Sequence, residues 1–132
     1  VRKILPALFS ALILSFGGGV SGHSDDAPSK WMSHQVLFAL KDNSAEAKKA
    51  FVASCKKYLS KHPGAVFYAA GERAEEIKSA VNDKEFDIAL NLVFKDEAAF
   101  AKYRDSEVHK KFVTENINNF AKVRVFDAFV EQ

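Results

Sequence analysis

The chain is short of cysteine, of net charge and of long apolar runs, and each shortage removes a class of function. Its one cysteine, Cys55, forms no disulfide within the chain. Nineteen Lys and Arg stand against seventeen Asp and Glu. Arg2 and Lys3 supply the surplus, because residues 1–22 hold no acid. The remainder is neutral. It therefore lacks the phosphate-neutralising surface that nucleic acid requires and the pull toward an acidic membrane. The run from Ile4 to Phe16 falls below the roughly 20 residues of a membrane-spanning helix. The four histidines include no H-x-x-x-H pair, so no metal is expected. No G-x-S-x-G precedes a helix, which leaves an elbow-type hydrolase unsupported. No cofactor is expected either. Gly17-Gly18-Gly19 follows no strand and precedes no Lys-Ser/Thr, so it is no phosphate loop. Haem would want an axial histidine; His109 has the donor, but nothing singles it out for that role.

What is present is a globular balance, 48% hydrophobic and 27% charged, in a length that suits one domain. The basic Val1-Arg2-Lys3, the apolar run and the small residues 17–22 follow one another in the order of a secretory signal peptide. We expect residues 1–22 to be a signal, cut near Gly22–His23, with export to the periplasm or outside the cell. Residues 23–32 read as a polar leader containing Pro28, and the folding domain as 33–130, its structure starting near Trp31.

His34, Val36, Phe38 and Leu40 alternate with Gln35, Leu37 and Ala39, the pattern of a strand. Ser44 caps a helix over 45–61 whose stripe is Phe51, Val52, Cys55, Tyr58 and Leu59. Cys55 thus faces inward as a small hydrophobe, with no basic group placed to activate it. His62-Pro63-Gly64 stops the helix. A strand follows over 65–71, then a charged excursion over 72–85, then a strand over 86–94. Asp96 caps a helix carrying Phe100 and Tyr103; Asp105-Ser106 interrupts it. His109, Phe112, Val113, Asn116 and Phe120 continue at helical spacing, and 122–130 is the last strand.

The order β-α-β-β-α-β predicts an α+β, ferredoxin-like fold: a four-stranded antiparallel sheet with both helices on one face. The other face still carries Leu37, Ala39, Ala89, Val93, Phe126 and Val130. An apolar face of that kind calls for a second sheet, so a homodimer is expected.

H-Q-V-L-F-A-L at 34–40, F-D-I-A-L-N-L-V-F at 86–94, Y-R-D-S-E-V-H-K-K-F at 103–112 and V-R-V-F-D at 123–127 stand in an order that resembles the stress-responsive α/β-barrel (Dabb) family. The likeness covers about residues 33–130. It implies a homodimer whose sheets form a barrel, with many relatives of unestablished activity and a plant branch that cyclises polyketides. The signal and the long 72–85 segment depart from the family.

Four polar groups sit on faces otherwise apolar. Asp127 shares its face with Val123, Val125 and Phe129, and needs a partner if helices cover it. His109 is the expected partner, its tautomer fixed and its pKa raised by the carboxylate. His34 lies beside Val36 and Phe38, and Tyr103 lies six residues before His109. One reading makes these a hydrogen-bonded strut within a binder of a small apolar molecule, with His34, Val36 and Phe38 as ligand contacts. The other makes His109, Tyr103 and Asp127 catalytic in a cofactor-free cyclase or lyase. There His109 is the base, Asp127 orients it and Tyr103 donates to an oxyanion. The resemblance implies that Tyr–His spacing for its cyclase branch.

Overall fold

The computed structural model describes residues 30–131. The expected signal, and the start of the polar leader as far as residue 29, lie outside the described residues. β1 (Trp31–Leu40) leads into α1 (Ala45–Leu59), β2 (Ala65–Glu72), β3 (Ile88–Phe94), α2 (Glu97–Asp105), α3 (Glu107–Asn116) and β4 (Phe120–Val130). The strands form one antiparallel sheet in the order β2-β3-β1-β4. This is the ferredoxin-like arrangement, with its second helix broken into α2 and α3.

Each helix starts where its sequence supplies an oxygen for the unpaired first-turn amides. Ser44 Oγ accepts from the Ala47 amide at 3.2 Å, Asp96 Oδ1 from Ala99 at 2.7 Å, and Ser106 Oγ from His109 at 3.2 Å. Alternate residues of β1 and β3, among them Val36, Phe38, Leu90 and Phe94, are buried beneath Phe51, Cys55 and Leu59 of α1, Phe100 and Tyr103 of α2 and Phe112 of α3. Each of the large side chains contributes about 1.5–3 kcal/mol by leaving water. Cys55 is wholly buried, and burial pushes its thiol up to about 12.

Three boundaries differ from expectation. β1 begins at Trp31, where the structure was expected to start, and so runs three residues ahead of the alternation read from His34, because Trp31 and Met32 pair with Val130 and Phe129 of β4. β3 begins at Ile88 rather than Phe86. Asp87 there turns its carboxylate to the Leu40 amide at 2.8 Å and gives its own amide to the Phe38 carbonyl. Phe120 opens β4 instead of extending the helical stripe. α3 ends at Asn116, whose side-chain amide donates to the Phe112 carbonyl at 2.7 Å, and a 3₁₀ turn over Ile117–Asn119 follows.

Residues 73–87 form an anchored excursion, not a loose one. Arg73 Nε donates to the Phe86 carbonyl at 2.8 Å. Lys122 pairs with Glu85 at 2.9 Å, and Arg124 pairs with Asp83. The Arg124 hydrogen bond holds the Asp83 carboxyl down at about 2.

Beyond Phe120, whose ring stands edge-on to Phe51 of α1 with centroids 5.6 Å apart, the helices leave β4 uncovered. Val123, Val125 and Phe129, on the face of β4 that points to the helix side, are each more than two-fifths exposed. The expectation that helices cover Asp127's face fails there, since β4 stands at the edge with a groove between it and α3.

Gly64 is required where it stands. Its φ is +88°, and a Cβ would lie 2.7 Å from the Ala99 Cβ. Gly64→Ala lowers unfolding stability by about 2 kcal/mol or more, through left-handed strain and overpacking. Gly71→Ala, with open space around it, serves as control. Urea denaturation of both variants checks this; an equal effect overturns it.

Candidate functional site

The site begins at the helix break. Ser106 closes α2 by donating its amide (3.1 Å) and its hydroxyl (2.7 Å) to the Tyr103 carbonyl. The same hydroxyl starts α3 by accepting from the His109 amide. One residue thus re-aims the chain so that Tyr103 and His109, six apart, come together with ring centroids 4.7 Å apart. The break also leaves the Arg104 carbonyl without a helical partner, and His109 Nδ1 lies 3.0 Å from it. A carbonyl only accepts, so Nδ1 carries the proton and Nε2 keeps a lone pair.

Asp127 is not the partner of His109. Its Oδ1 lies 2.6 Å from Nδ1 of His34. The ladder explains the correction: His34 stands directly across β1 and β4 from Asp127, on the same face, where opposed side chains meet. The consequence for His109 also reverses. Burial pushes its pKa below the ordinary histidine value, only partly offset by the Arg104 carbonyl, and His34 and His62 nearby lower it further. Tyr103 is 2% exposed, and burial first, then Cys55 and Tyr68, pushes its phenol above the ordinary range. It stays a proton donor.

His34, Val36, Phe38, Tyr103 and His109 all line one cavity of about 510 Å³ between α3 and the β1–β4 pair. Asp127 is not in that wall and acts on it through His34; its own side chain is 43% exposed. Phe38, Phe112 and Phe120 form its walls together with Val113, Ile117, Val123 and Val125. His34 and Tyr103 mark its polar end, with ring centroids 5.7 Å apart.

His62 is the residue that the sequence reading treated only as a helix stop. Its ring stands edge-on to Tyr103, 5.4 Å between centroids, and its Nδ1 is buried without a hydrogen-bond partner among the described residues. Gly64 shows why it lies there: the close approach to Ala99 draws the turn onto α2. No group of three or more His, Cys, Asp or Glu is placed to hold a metal among the described residues. No helix among them is long and apolar enough to cross a membrane.

Residues 32–130 match the Stress responsive A/B Barrel Domain, Dabb. The chain belongs to the Dabb family. Among solved structures, a Dabb protein with a ferredoxin-like fold from Mesorhizobium loti is 24% identical, with a TM-score of 0.65 over 79% of this chain and 100% of that one. A dimeric ferredoxin-like protein of unknown function from Thermobifida fusca is 18% identical, with a TM-score of 0.65 over 77% and 92%. The hydroxynitrile lyase of Passiflora edulis is 19% identical, with a TM-score of 0.64 over 80% and 97%. At these identities the likeness is one of fold. No curated protein matches the chain.

The lowered pKa of His109 ties stability to pH. Below the ordinary histidine value, near about 6.5, the unfolded chain binds a proton that folded His109 still refuses. Stability therefore falls as pH drops through the window between the two values. His109→Gln removes this titration and flattens that part of the profile. Urea melts at a series of pH values check it; an unchanged slope in the variant refutes the assignment.

Proposed function

We propose that this Dabb chain works as a homodimer in which each protomer binds one small, mostly apolar molecule between α3 and β4. The observation that carries the binding is the open apolar cavity of about 510 Å³, within the range of small-molecule sites. Dimerisation rests on the sheet face away from the helices, where Phe67 and Phe126 are about half exposed beside Leu37, Ala89 and Val93. Burying such a face against a second copy removes apolar surface that a lone protomer leaves in water. The fold neighbour from Thermobifida fusca is itself dimeric, which supports a dimer.

A second reading, acid–base catalysis of the cyclase or lyase kind, is favoured by one specific feature. His109 presents an unprotonated Nε2 beside a protonated Tyr103. Nε2 is placed to take a proton from a hydroxyl or from carbon next to a carbonyl, while the phenol donates to the oxygen that gains charge. His34, held by Asp127, is a second base on the same wall. The hydroxynitrile lyase among the fold neighbours supports chemistry of this type on this scaffold.

Export is part of the proposal, on the strength of residues 1–22. Expression of the full chain, fractionation and N-terminal sequencing test it; a product retained in the cytosol with residues 1–22 intact argues against it. Light scattering after gel filtration is expected to show a dimer at micromolar concentration, and Phe126→Asp to yield monomer. A stable wild-type monomer refutes the dimer. A thermal-shift screen of apolar carbonyl and hydroxyl compounds is expected to find stabilisers whose effect His109→Ala and Tyr103→Phe diminish. Unchanged binding and turnover in both variants dismiss those residues.

A further inference from the structure

The sheet face turned away from the helices has a polar centre. β3 and β1 are the two inner strands of the sheet. Gln35 and Asn91 stand opposite each other near the middle of both. Ala69 of β2 lies beyond Asn91, and Phe126 of β4 lies beyond Gln35. Gln35 Nε2 donates to Asn91 Oδ1 at 2.9 Å. Around the pair are Leu37, Ala89 and Val93, and toward the two edges Phe67 and Phe126, 53% and 49% exposed. Arg124 shares this face, opposite Leu37, and is already paired with Asp83. Two amides in the middle of an apolar face are costly to cover unless the covering surface completes their hydrogen bonds.

A primary amide has two N–H donors and an oxygen with two acceptor sites. One bond between two amides therefore leaves the pair with both donors and acceptors open, Gln35 Oε1 and the Asn91 Nδ2 protons foremost. Turning both amides over exchanges the roles and leaves the same set. Such a surface is complementary to itself. A two-fold axis lying between two stacked sheets brings an identical set against it, so that donors meet acceptors. We infer that Gln35 and Asn91 join their counterparts in a second copy of this chain, closing a ring of four amides at the centre of the dimer, and that this ring selects the like copy, in one register, over other apolar sheets. An apolar partner strands both amides. A charged partner buries its charge without compensation, because Arg124 is spent on Asp83. A slip of one residue turns Gln35 away from the interface.

This inference rests on the homodimer reading, and a mixing experiment separates the two. Dimer dissociation constants are measured by sedimentation for the wild type, for Gln35→Leu and for the double variant Gln35→Leu/Asn91→Leu. Gln35 is exposed in the protomer, and circular dichroism checks that each variant is folded. Gln35→Leu strands the Asn91 amides and is expected to raise the dissociation constant about tenfold or more. The double variant removes both polar groups and is expected to recover much of that loss. Isotope-labelled wild type is then mixed with the double variant, left to exchange subunits and weighed by native mass spectrometry. The mixed dimer should fall well short of the about one half that indifferent association yields. Gln35→Leu dimers as tight as wild type, or a mixed dimer at the indifferent fraction, overturn the amide ring while the dimer stands. Should the double variant fail to fold, the dissociation constant of Gln35→Leu decides alone. A wild-type monomer throughout the concentration range removes the homodimer reading and this inference with it.

Discussion

β4 is held in the sheet by β1 alone, and beyond Phe120, which meets Phe51 of α1, it is left open to solvent on the helix side. The antiparallel ladder between these strands sets the register that places His34 opposite Asp127, Val36 opposite Val125 and Phe38 opposite Val123. Each pair puts a buried β1 side chain beside a β4 side chain that is still partly in water. The groove against α3 exists because that strip is roofed on one side only. A one-residue slip would turn all three β4 groups to the opposite face and separate the carboxylate from its imidazole.

Ser106 performs the complementary task on the helical side. A continuous helix would set residues 103 and 109 about 600° apart in rotation, at roughly 100° per residue, and so on different faces. The interruption removes that constraint and leaves a backbone carbonyl available to fix one imidazole. The two histidines of the wall are therefore oriented by unlike groups. A carboxylate with its side chain 43% exposed orients the buried His34, and a neutral carbonyl orients the half-buried His109. The second arrangement disfavours positive charge on the ring.

Most of this architecture was legible from periodicity and caps. Alternation identified β1 and β3, Ser44 and Asp96 marked two helix starts, and Asp105-Ser106 marked the break at which the third begins. The wrong partner for Asp127 came from assuming that helices cover every strand equally. Which strand a helix roofs depends on crossing geometry between distant segments, and periodicity within one segment carries none of it. The His34–Asp127 pair joins positions 93 apart in the chain, through a register that no short turn sets. His62 escaped notice for a different reason. His-Pro-Gly is a sufficient helix stop, so nothing local required its imidazole to have a further position against Tyr103.

The solitary thiol has a consequence of its own. Cys55 is sealed within α1's inner face, and burial keeps it protonated well above neutral pH. Because the thiolate is the species that exchanges with disulfides and reacts with peroxides, the folded chain presents almost none of it. An unpaired cysteine ordinarily risks adducts with glutathione or covalent linkage to another molecule wherever oxidants are plentiful. Here that hazard arises only while the chain is unfolded, so its redox vulnerability is confined to the interval before folding is complete.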